Sequence, residues 1–513
     1  MKKLLYTIAI FSSLMVTAQD VQWEKTLGGK HADYLNDAIP TLDYGFILVG
    51  GSLSNKTGDV KSNAGDFDYL VSKITETGLL SWTKTLGGTG TDIIKSITNT
   101  PDGGYLLAGM SNSPQSKTKT ATPIGMQDVW LVKLNIKGQV TWQKTLGGLA
   151  NDQVQQVIHT HDGGFLLAIS SASSDASYLT DTTSIYKNST TRGNLDYWLV
   201  RLDATGTLLW QKSFGGRYRD ELKQVVELAD GNIVIGGSSN SPAEFDKHVI
   251  HHGKNDWWIL KLDKDGNTLW QESFGNEGND ELASMLVSKD QQILLAGSFA
   301  DDITTDFKIL KIASEDATII WEQSYDVADK DISISLMQNT DKTLVLSGYA
   351  ASTNSKKPQR NTEDFFILKT DEKGNELWRE FYGDNSKEVL RKSIVTRDGG
   401  YVLLGTRMPF IAKKHNDANF WLVKLLDKDK PQYQKPPLEA VPNPTASYTQ
   451  IVLDKDYNQG TLQVIALSGK VVQTMALDGK RIIPVDLSPF ARGVYLIQVS
   501  TDQENNSVKV IKK

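Results

Sequence analysis

Apolar positions along most of this chain occur in short runs separated by turn-forming residues, without the spacing of a helix. The stretch 196–216 shows the unit most clearly. Its first apolar run is followed by a polar segment that ends at Gly206, and its second run ends at Gly215 and Gly216. Two short apolar runs around a tight turn that contains glycine predict an antiparallel β-hairpin.

Near copies of this unit run along the chain and can be aligned by two markers. The first is an Asp or Asn five residues before a Lys or Arg, and it occurs at Asp68/Lys73, Asp128/Lys133, Asp196/Arg201, Asp256/Lys261, Asp306/Lys311, Asp364/Lys369 and Asn419/Lys424. The second is a Trp in the following run, and it occurs at Trp23, Trp82, Trp142, Trp210, Trp270, Trp321 and Trp378. These Trp residues are 51 to 68 residues apart, a self-similar period that indicates a repeat architecture.

Each period also contains a second pair of apolar runs. A Gly-Gly or a near equivalent follows most Trp runs, an Asp recurs shortly afterwards, and turns such as Asp102-Gly103 separate the next two runs. Asp-Gly between apolar runs is a strong hairpin signal because glycine accepts a positive φ. Four antiparallel strands in every period predict an all-β fold, namely a β-propeller.

The offset between the two markers predicts how the propeller closes. Seven of each are present, but Trp23 precedes every Asp marker and Asn419/Lys424 has no Trp run after it. The simplest account makes 21–29 the outer strand of the last blade, whose other strands come from about 389–425. The sequence therefore predicts a seven-bladed β-propeller closed by an N-terminal strand, which removes the open sheet edge.

Composition excludes several classes of function. A net charge of −6, with 23% charged and 39% hydrophobic residues, is ordinary for a soluble protein and does not indicate nucleic-acid binding. The chain has no Cys, so disulfides and thiol chemistry are excluded. All 12 Trp lie within the repeats and are expected in the core. A monomer is expected.

The two ends of the chain differ from the repeats. Residues 1–18 combine Lys2 and Lys3, an apolar run and small residues before Gln19, which predicts a signal peptide. The propeller is then expected over 19–427. Residues 428–437 are rich in Pro and charge and predict a linker. Residues 438–513 lack the repeat and are expected to form a small β-sandwich, with turns at Gly469 and Gly479.

The C-terminal segment resembles a known family. The motif Val441-Pro442-Asn443-Pro444, the turn at Gly469, the pair Gly493 and Tyr495, and the terminal Lys509 and Lys512 follow the order found in type A C-terminal sorting domains of the Bacteroidota type IX secretion system. The resemblance implies export to the periplasm and then across the outer membrane. It also implies recognition by the type IX translocon, removal of the tail by a sortase-like peptidase, and either release or attachment to lipopolysaccharide.

The propeller itself resembles repeat propellers that occur on other secreted proteins with this tail, a family of largely unassigned function. The segment 202–210 is also similar to the tryptophan-docking motif of quinoprotein propellers, which implies only that Trp210 packs against a neighbouring blade. Those enzymes often use a vicinal Cys pair, which this chain lacks. The resemblance therefore predicts a fold and no activity.

Candidate binding residues are few. The long polar loops 52–65, 111–127, 170–195, 238–255, 350–363 and 407–418 are expected on one face, where long loops on a rigid scaffold carry binding. The unusually basic turn of Arg217, Tyr218 and Arg219 is the ligand-binding candidate. A column of acids after the Gly-Gly turns is a candidate for Ca²⁺ at a channel rim, and it comprises Asp33, Asp92, Asp152, Asp220 and Asp280. His248, His251 and His252 share one loop and are a weaker transition-metal candidate.

Two functions stay open on these residues. No nucleophile elbow, phosphate loop, dinucleotide fingerprint or zinc-protease motif is present, which predicts no catalytic residues and no cofactor other than calcium. The leading hypothesis is a secreted or surface propeller that binds a glycan or protein through its long loops. The alternative is a polysaccharide hydrolase or lyase with its site at the channel mouth, because 61 acids offer many carboxylate pairs.

Overall fold

A computed structural model describes residues 20–179, 183–300, 305–327, 331–351, 363–384, 386–409, 417–429, 435–445 and 447–513. All regular structure in these ranges is β-strand, and they contain no helix. The predicted signal peptide lies outside the described residues, as do 430–434 of the linker and most of the last two long loops. A search of the described ranges for a helix long and apolar enough to cross a membrane finds none.

Twenty-nine strands precede the linker. In chain order they are β1 (Val21–Leu27), β2 (Asp33–Pro40), β3 (Phe46–Ser52), β4 (Asp68–Ile74), β5 (Leu80–Leu86), β6 (Asp92–Asn99), β7 (Tyr105–Ser111), β8 (Asp128–Leu134), β9 (Val140–Gly147), β10 (Asp152–His159), β11 (Phe165–Ser171), β12 (Ile185–Tyr186), β13 (Asp196–Leu202), β14 (Leu208–Phe214), β15 (Asp220–Glu227), β16 (Ile233–Ser239), β17 (Asp256–Leu262), β18 (Thr268–Phe274), β19 (Glu281–Val287), β20 (Ile293–Ala300), β21 (Thr305–Ile312), β22 (Ile319–Tyr325), β23 (Asp331–Gln338), β24 (Leu344–Ala351), β25 (Glu363–Thr370), β26 (Glu376–Tyr382), β27 (Lys387–Val395), β28 (Tyr401–Met408) and β29 (Asn419–Leu425).

These strands form antiparallel sheets of four, one for each sequence period. The first six sheets follow chain order from β2 to β26, and the last has the order β1-β29-β28-β27. The N-terminal strand β1 therefore pairs with β29, with Glu24 opposite Val423 and Leu27 opposite Phe420. The two-residue strand β12 adds to the edge of the second sheet by parallel pairing with β9, a feature that the sequence pattern does not predict.

Apolar side chains pack between the sheets. Seven clusters each combine residues of two sheets, and six of them join sheets that are consecutive in the chain. The seventh joins the first sheet to the last, with Leu35 and Phe46 packed in the same cluster as Leu404 and Phe420. Sheets that are buried on both faces explain why the strands are apolar throughout rather than alternating.

One face of the sheets carries the tight turns between the first and second strands of each set, and we call it the hairpin face. In these turns Gly103 has a φ of +78°, the left-handed region that favours glycine. The Lys of the first marker extends to the same turns, where Lys133 Nζ lies 2.8 Å from Asp102 and Lys73 Nζ lies 2.6 Å from Asp43. The long loops leave from the opposite face, which we call the long-loop face.

The C-terminal segment folds into two sheets around one core. The strands are β30 (Leu438–Val441), β31 (Tyr448–Leu453), β32 (Gly460–Ala466), β33 (Val471–Leu477), β34 (Ile482–Asp486), β35 (Gly493–Thr501) and β36 (Asn505–Lys512). One sheet has the order β30-β31-β34 and the other β33-β32-β35-β36. Leu462, Val485 and Ile497 are fully buried in the core between them.

This segment contacts the hairpin face. The Tyr44 hydroxyl lies 3.1 Å from a carboxylate oxygen of Glu439, and Arg397 donates to the same carboxylate. The Arg397 guanidinium lies 4.3 Å from the centre of the Tyr44 ring. Lys435 forms an ion pair with Glu76 in a neighbouring turn. These contacts leave the long-loop face uncovered by the C-terminal segment.

Candidate ligand-binding site

The first strand of every sheet carries a β-bulge at the same position. The pairing register shifts by one residue there, and the extra residues are Asn36, Lys95, Gln155, Lys223, Ala283, Ile334 and Arg391. A bulge re-aims its side chain relative to the regular ladder. All seven residues line one cavity of about 630 Å³, which we call the central cavity.

The residue that follows the bulge joins its sheet to the next one. The side chains of Asp37, Ser96, Gln156, Gln224 and Ser284 accept hydrogen bonds from backbone N–H groups of the neighbouring first strand. Gln156 Oε1, for example, lies 2.8 Å from the Val225 nitrogen. These polar atoms are therefore committed to holding the sheets together, which gives the cavity a rigid wall.

Cations dominate one part of the central cavity. Lys392 lies 3.3 Å from Asp37, and Lys223 lies 2.5 Å from Glu221. Lys95 and Arg391, in contrast, have no hydrogen-bond or ion-pair partner among the described residues. Burial lowers the pKa of Lys95, repulsion from Arg391 and Lys223 lowers it further, and attraction to Glu221 acts in the opposite direction.

An aliphatic wall completes the central cavity. The first strands β19 and β23 contribute Ala283, Met285, Ile332, Ile334 and Met337 to the lining. Ile332 is 39% exposed, which is unusual for an isoleucine on an inner strand. The cavity thus has a cationic side and an aliphatic side.

A smaller cavity of about 130 Å³ forms the mouth of the central cavity. It shares Lys223 and Glu281 with the central cavity and is also lined by Arg219 and Asn255. Arg219 directly precedes β15 and Asn255 directly precedes β17, so the mouth opens on the long-loop face. Arg219 donates to Glu221 over 2.7 Å.

The three residues of the basic turn that was predicted to contact a ligand have different surroundings in the structure. Arg219 lines the mouth, whereas Arg217 does not line it and pairs with Glu244 over 2.6 Å, although both side chains are more than half exposed. Tyr218 is 47% exposed between them. Sequence reasoning missed Lys95, Lys223 and Arg391, although each stands three residues after an Asp or Glu that is the first or second residue of its strand.

The acidic column proposed for calcium is buried away from the central cavity. Each of its five side chains is fully buried and accepts a backbone N–H bond at the preceding turn; they are Asp33, Asp92, Asp152, Asp220 and Asp280. Ser hydroxyls donate to the first four as well. Calcium requires oxygen ligands, and Oδ2 of each of these side chains already accepts hydrogen bonds from the chain, whereas Oδ1 of Asp92 and of Asp220 has no hydrogen-bond partner among the described residues. The geometry lends the calcium site no support, and it stays a prediction.

Two aspartates meet around the first glycine of each Gly-Gly turn. A Cβ atom on Gly87 would lie 2.2 Å from Asp68 and 2.8 Å from Asp92, so this glycine leaves room for a pair of acids. Burial raises the pKa of four members of these pairs to about 6, and a neighbouring carboxylate adds to the effect. They are Asp68, Asp128, Asp196 and Asp280.

These acids predict that the fold is more stable at mildly acidic pH. An Asp whose pKa is raised in the folded chain stabilises the fold below the ordinary value near 3.8, and this contribution is lost as pH rises through about 6. We expect the unfolding temperature to rise by several degrees between pH 7.5 and pH 5.5. Burial lowers the pKa of His159, which opposes the effect but is a single group.

Thermal unfolding followed by circular dichroism across this pH range checks the prediction. Asp68→Asn and Asp128→Asn remove two of the titrating groups, so the double variant should show a weaker pH dependence. A wild-type unfolding temperature that stays level or falls toward pH 5.5 would contradict it.

Three buried lysines hold long loops in place on the long-loop face. Lys119, Lys187 and Lys247 are each fully buried. Lys187 Nζ donates to the Ser173 carbonyl over 2.7 Å, and Lys247 Nζ donates to the Ser239 hydroxyl over 2.9 Å. Each ammonium interacts with two of the buried aspartates, as Lys247 does with Asp220 and Asp256. The loops around the mouth are therefore held in place by charge.

The histidines of the fourth long loop turn toward one carboxylate. His251 Nδ1 lies 3.0 Å and His252 Nδ1 lies 3.5 Å from Asp256 Oδ2. Across the described ranges, no group of three His, Asp or Glu side chains is placed to hold a metal ion. The transition-metal site stays a prediction.

The motif residues of the C-terminal segment come together around the last strand. Asn443 bonds to the backbone of β36 at Lys509 and Ile511, and Lys512 Nζ lies 2.7 Å from the Leu487 carbonyl. The Tyr495 hydroxyl donates to the Ala491 carbonyl over 2.7 Å. Pro442 and Pro444 flank Asn443, whereas Gly469 stands at a turn with a φ of +82° and Gly493 begins β35 with a φ of +156°.

Comparison with known proteins identifies this segment. Residues 440–513 match the model of the secretion system C-terminal sorting domain. The protein is therefore exported by the type IX secretion system, interacts with its machinery, and has a secreted or cell-surface location. The predicted resemblance of the tail is confirmed.

A distant relative matches part of the chain. The chain is 26% identical over 219 residues to the regulatory protein FlaEY of Caulobacter vibrioides, a match that covers 42% of this chain. The match spans 23% of FlaEY, so this chain corresponds to less than a quarter of that protein.

Solved structures resemble the chain in overall β architecture. The polysaccharide lyase Uly1 aligns with a TM-score of 0.47 and 11% identity, covering 79% of this chain and 100% of the lyase. YCF48 bound to a D1 peptide aligns with a TM-score of 0.40 and 9% identity, covering 79% and 95%. A Bacteroides caccae protein of unknown function aligns with a TM-score of 0.37 and 13% identity, covering 66% and 93%. These scores carry no information about the ligand.

Proposed function

We propose that this protein is a secreted or surface-attached seven-bladed β-propeller that binds a glycan or protein of the cell exterior on its long-loop face. The observation that carries the proposal is the mouth formed there by Arg219, Lys223, Asn255 and Glu281. Binding sites are concave and combine a rigid frame with a few convergent polar groups. The mouth has both properties.

The arrangement of the sheets supports the propeller. Seven sheets have seven apolar junctions, and the last junction joins the first sheet to the last. The pairing of β1 with β29 supplies the fourth strand of the last sheet. We therefore propose a closed ring in which 19–427 form the propeller, 428–437 the linker and 438–513 the sorting domain.

Maturation follows from the two ends of the chain. We propose that residues 1–18 direct the chain to the periplasm, and that a sortase-like peptidase removes the sorting domain after outer-membrane export. The product is then a monomer that is released or attached to lipopolysaccharide. Because the sorting domain contacts the hairpin face, its removal leaves the mouth unchanged.

The acids at the mouth favour binding over the alternative of a polysaccharide hydrolase. A glycosidase needs one carboxylic acid that keeps its proton near neutral pH. Burial alone would raise the pKa of Glu221, but Lys223 and Arg219 hold that pKa below its ordinary value. Glu221 is thereby kept ionised and serves to position the two cations.

A binding screen tests the proposal. The purified protein is applied to arrays of polysaccharides and of host and bacterial surface proteins, with and without EDTA, and eluates are analysed by mass spectrometry. We expect retention of an intact ligand. Arg219→Ala should weaken it at least tenfold because Arg219 lines the mouth, whereas Arg217→Ala two residues away should leave it unchanged.

Other results of the same screen would redirect the assignment. Shortened or unsaturated products would establish the hydrolase or lyase alternative. Loss of retention in EDTA would indicate that a calcium ion takes part in binding. Retention by neither array, or equal effects of Arg217→Ala and Arg219→Ala, would overturn binding at the mouth.

A further inference from the structure

The central cavity behind the mouth carries a charge pattern that selects its ligand. Resting on the proposed binding function, we infer that the central cavity binds a carboxylate with an adjoining aliphatic group, as presented by the C-terminal end of a peptide chain. The inference assigns the ligand class and residues that no sequence motif marks, namely Lys95, Arg391 and the aliphatic wall around Ile334.

The first step of the argument is the excess of positive charge. Of the four cations that line the cavity, Lys392 and Lys223 have acidic partners within 3.3 Å and 2.5 Å. Lys95 and Arg391 have none in the described part of the chain, and Glu281 on the opposite wall is the remaining acid of the lining. Lys95 is partly buried and Arg391 is exposed, and their mutual repulsion costs free energy that a bound anion offsets.

The second step concerns how this charge is held. Lys95 and Arg391 occupy bulge positions, so their side chains point out of the sheet ladder into the cavity instead of packing between sheets. The neighbouring Ser96 is fixed by its bond to the Val157 nitrogen at 3.2 Å. Two cations on rigid strands can contact one carboxylate without reordering of the backbone, so the ordering cost is confined to their own side chains.

The third step distinguishes a peptide end from a sugar. Most amide and hydroxyl groups of the lining already bond to the next sheet, as Gln156, Gln224 and Ser284 do. A hydroxyl-rich sugar would leave its hydroxyls against Ile334 and Met337, and an unpaired buried hydroxyl is costly. A carboxylate beside an aliphatic side chain matches both walls of the cavity.

The size of the cavity agrees with this ligand. Its volume of about 630 Å³ lies within the range of small-molecule sites and exceeds what a single inorganic anion fills. The mouth at Arg219 and Asn255 provides the entry from the long-loop face. A chain end can enter this way, with its carboxylate leading and the rest of the peptide contacting the long loops.

Calorimetric titration of the full-length protein tests the inference with defined probes. The probes are an acetylated alanine-alanine-leucine tripeptide with a free carboxylate, the same tripeptide as its C-terminal amide, acetyl-leucine, and an oligogalacturonate. We expect the free tripeptide to bind at least tenfold more tightly than the amide. Its affinity should fall between 20 mM and 150 mM NaCl, because the contact is ionic.

Variants test the cationic side and the aliphatic side of the central cavity separately. Lys95→Met and Arg391→Met should each weaken the free tripeptide at least tenfold, whereas Lys95→Arg keeps the charge and should bind. Ile334→Ser should weaken binding of the free tripeptide, because it removes an aliphatic contact for the terminal leucine. Lys373→Met, an exposed site on the hairpin face, is the matched control and should change nothing. Thermal unfolding confirms that each variant is folded.

The outcomes separate this inference from the proposed function. Equal binding of the tripeptide and its amide, or tighter binding of the oligogalacturonate in the same cavity, would overturn the inference. Binding of acetyl-leucine as tightly as the tripeptide would identify a free aliphatic carboxylate as the source of the shared chemistry. If no probe binds while the array ligand is still retained in an Arg219-dependent way, the inference fails and the proposed function stands. If neither binds, both fail.

Discussion

A chain that begins at Lys30 should unfold on the order of 10 °C below one that begins at Asp20. The truncation removes β1, and with it Leu27 from the apolar cluster between the first and last sheets. It also removes the bond from Trp23 Nε1 to the Glu76 carbonyl at 3.0 Å. Each large apolar side chain contributes about 1.5–3 kcal/mol when buried, and two are lost.

The truncation has a second effect on the neighbouring strand. Strand β29 would lose its partner and present unpaired N–H and C=O groups along an apolar edge, which favours aggregation. Differential scanning calorimetry and light scattering measure the two effects. Adding a synthetic peptide of residues 20–29 should restore part of the lost stability, and Gln22→Ala on the exposed side of β1 should have no effect. An unchanged unfolding temperature of the truncated chain would show that β1 does not stabilise the ring.

Replacing Lys247 by Met should destabilise the fold by about 3 kcal/mol. Burial lowers the pKa of Lys247, but Asp220 and Asp256 hold its charge in place. Removing the ammonium leaves two buried carboxylates without their counter-charge, and this costs more than the added apolar stem contributes. Chemical denaturation measures the change in free energy of unfolding, and limited proteolysis shows whether 240–255 are released first.

A double-mutant cycle isolates the charge effect. Asp220→Asn in the Lys247→Met background removes one of the stranded carboxylates, so the double variant should recover part of the lost stability. Lys264→Met, at an exposed turn on the hairpin face, should change the free energy of unfolding by less than about 0.5 kcal/mol. Strictly additive effects of the two substitutions would contradict the proposed pairing.

The fold was predictable because its signals are local and repeated. The Asp-Gly turns fix the hairpins, and Lys133 of the marker column pairs with the turn residue Asp102 as its position suggests. The offset of the Trp markers already implied the pairing of β1 with β29. The added strand β12 was not predictable, because two residues in a long loop show no pattern.

The residues of the candidate site were harder to predict from the sequence than the fold was. The irregular turn at 217–219 lies on the face where the mouth opens, and of its three residues only Arg219 lines the mouth. Lys95 and Arg391 looked like polar residues of ordinary strands, since a bulge adds one residue without altering composition. A signal did exist in the alignment of periods: the third position after the acid near the start of the first strand varies widely, from Lys95 to Ala283, while the residue before it is apolar in six of the seven periods. That variation indicates that the side chain at this position does not pack between the sheets.

The sorting domain contacts Tyr44 and Arg397 on the hairpin face, so it lies on the side of the molecule opposite the long-loop face. In the proposed maturation, the export machinery would hold the uncleaved molecule by its sorting domain, on the side remote from Arg219, so the membrane and the entrance to the cavity would lie on opposite sides of the molecule. Newly exported molecules would thus face the medium with an unobstructed entrance. Their ligand could be captured during secretion, before any final anchoring has taken place.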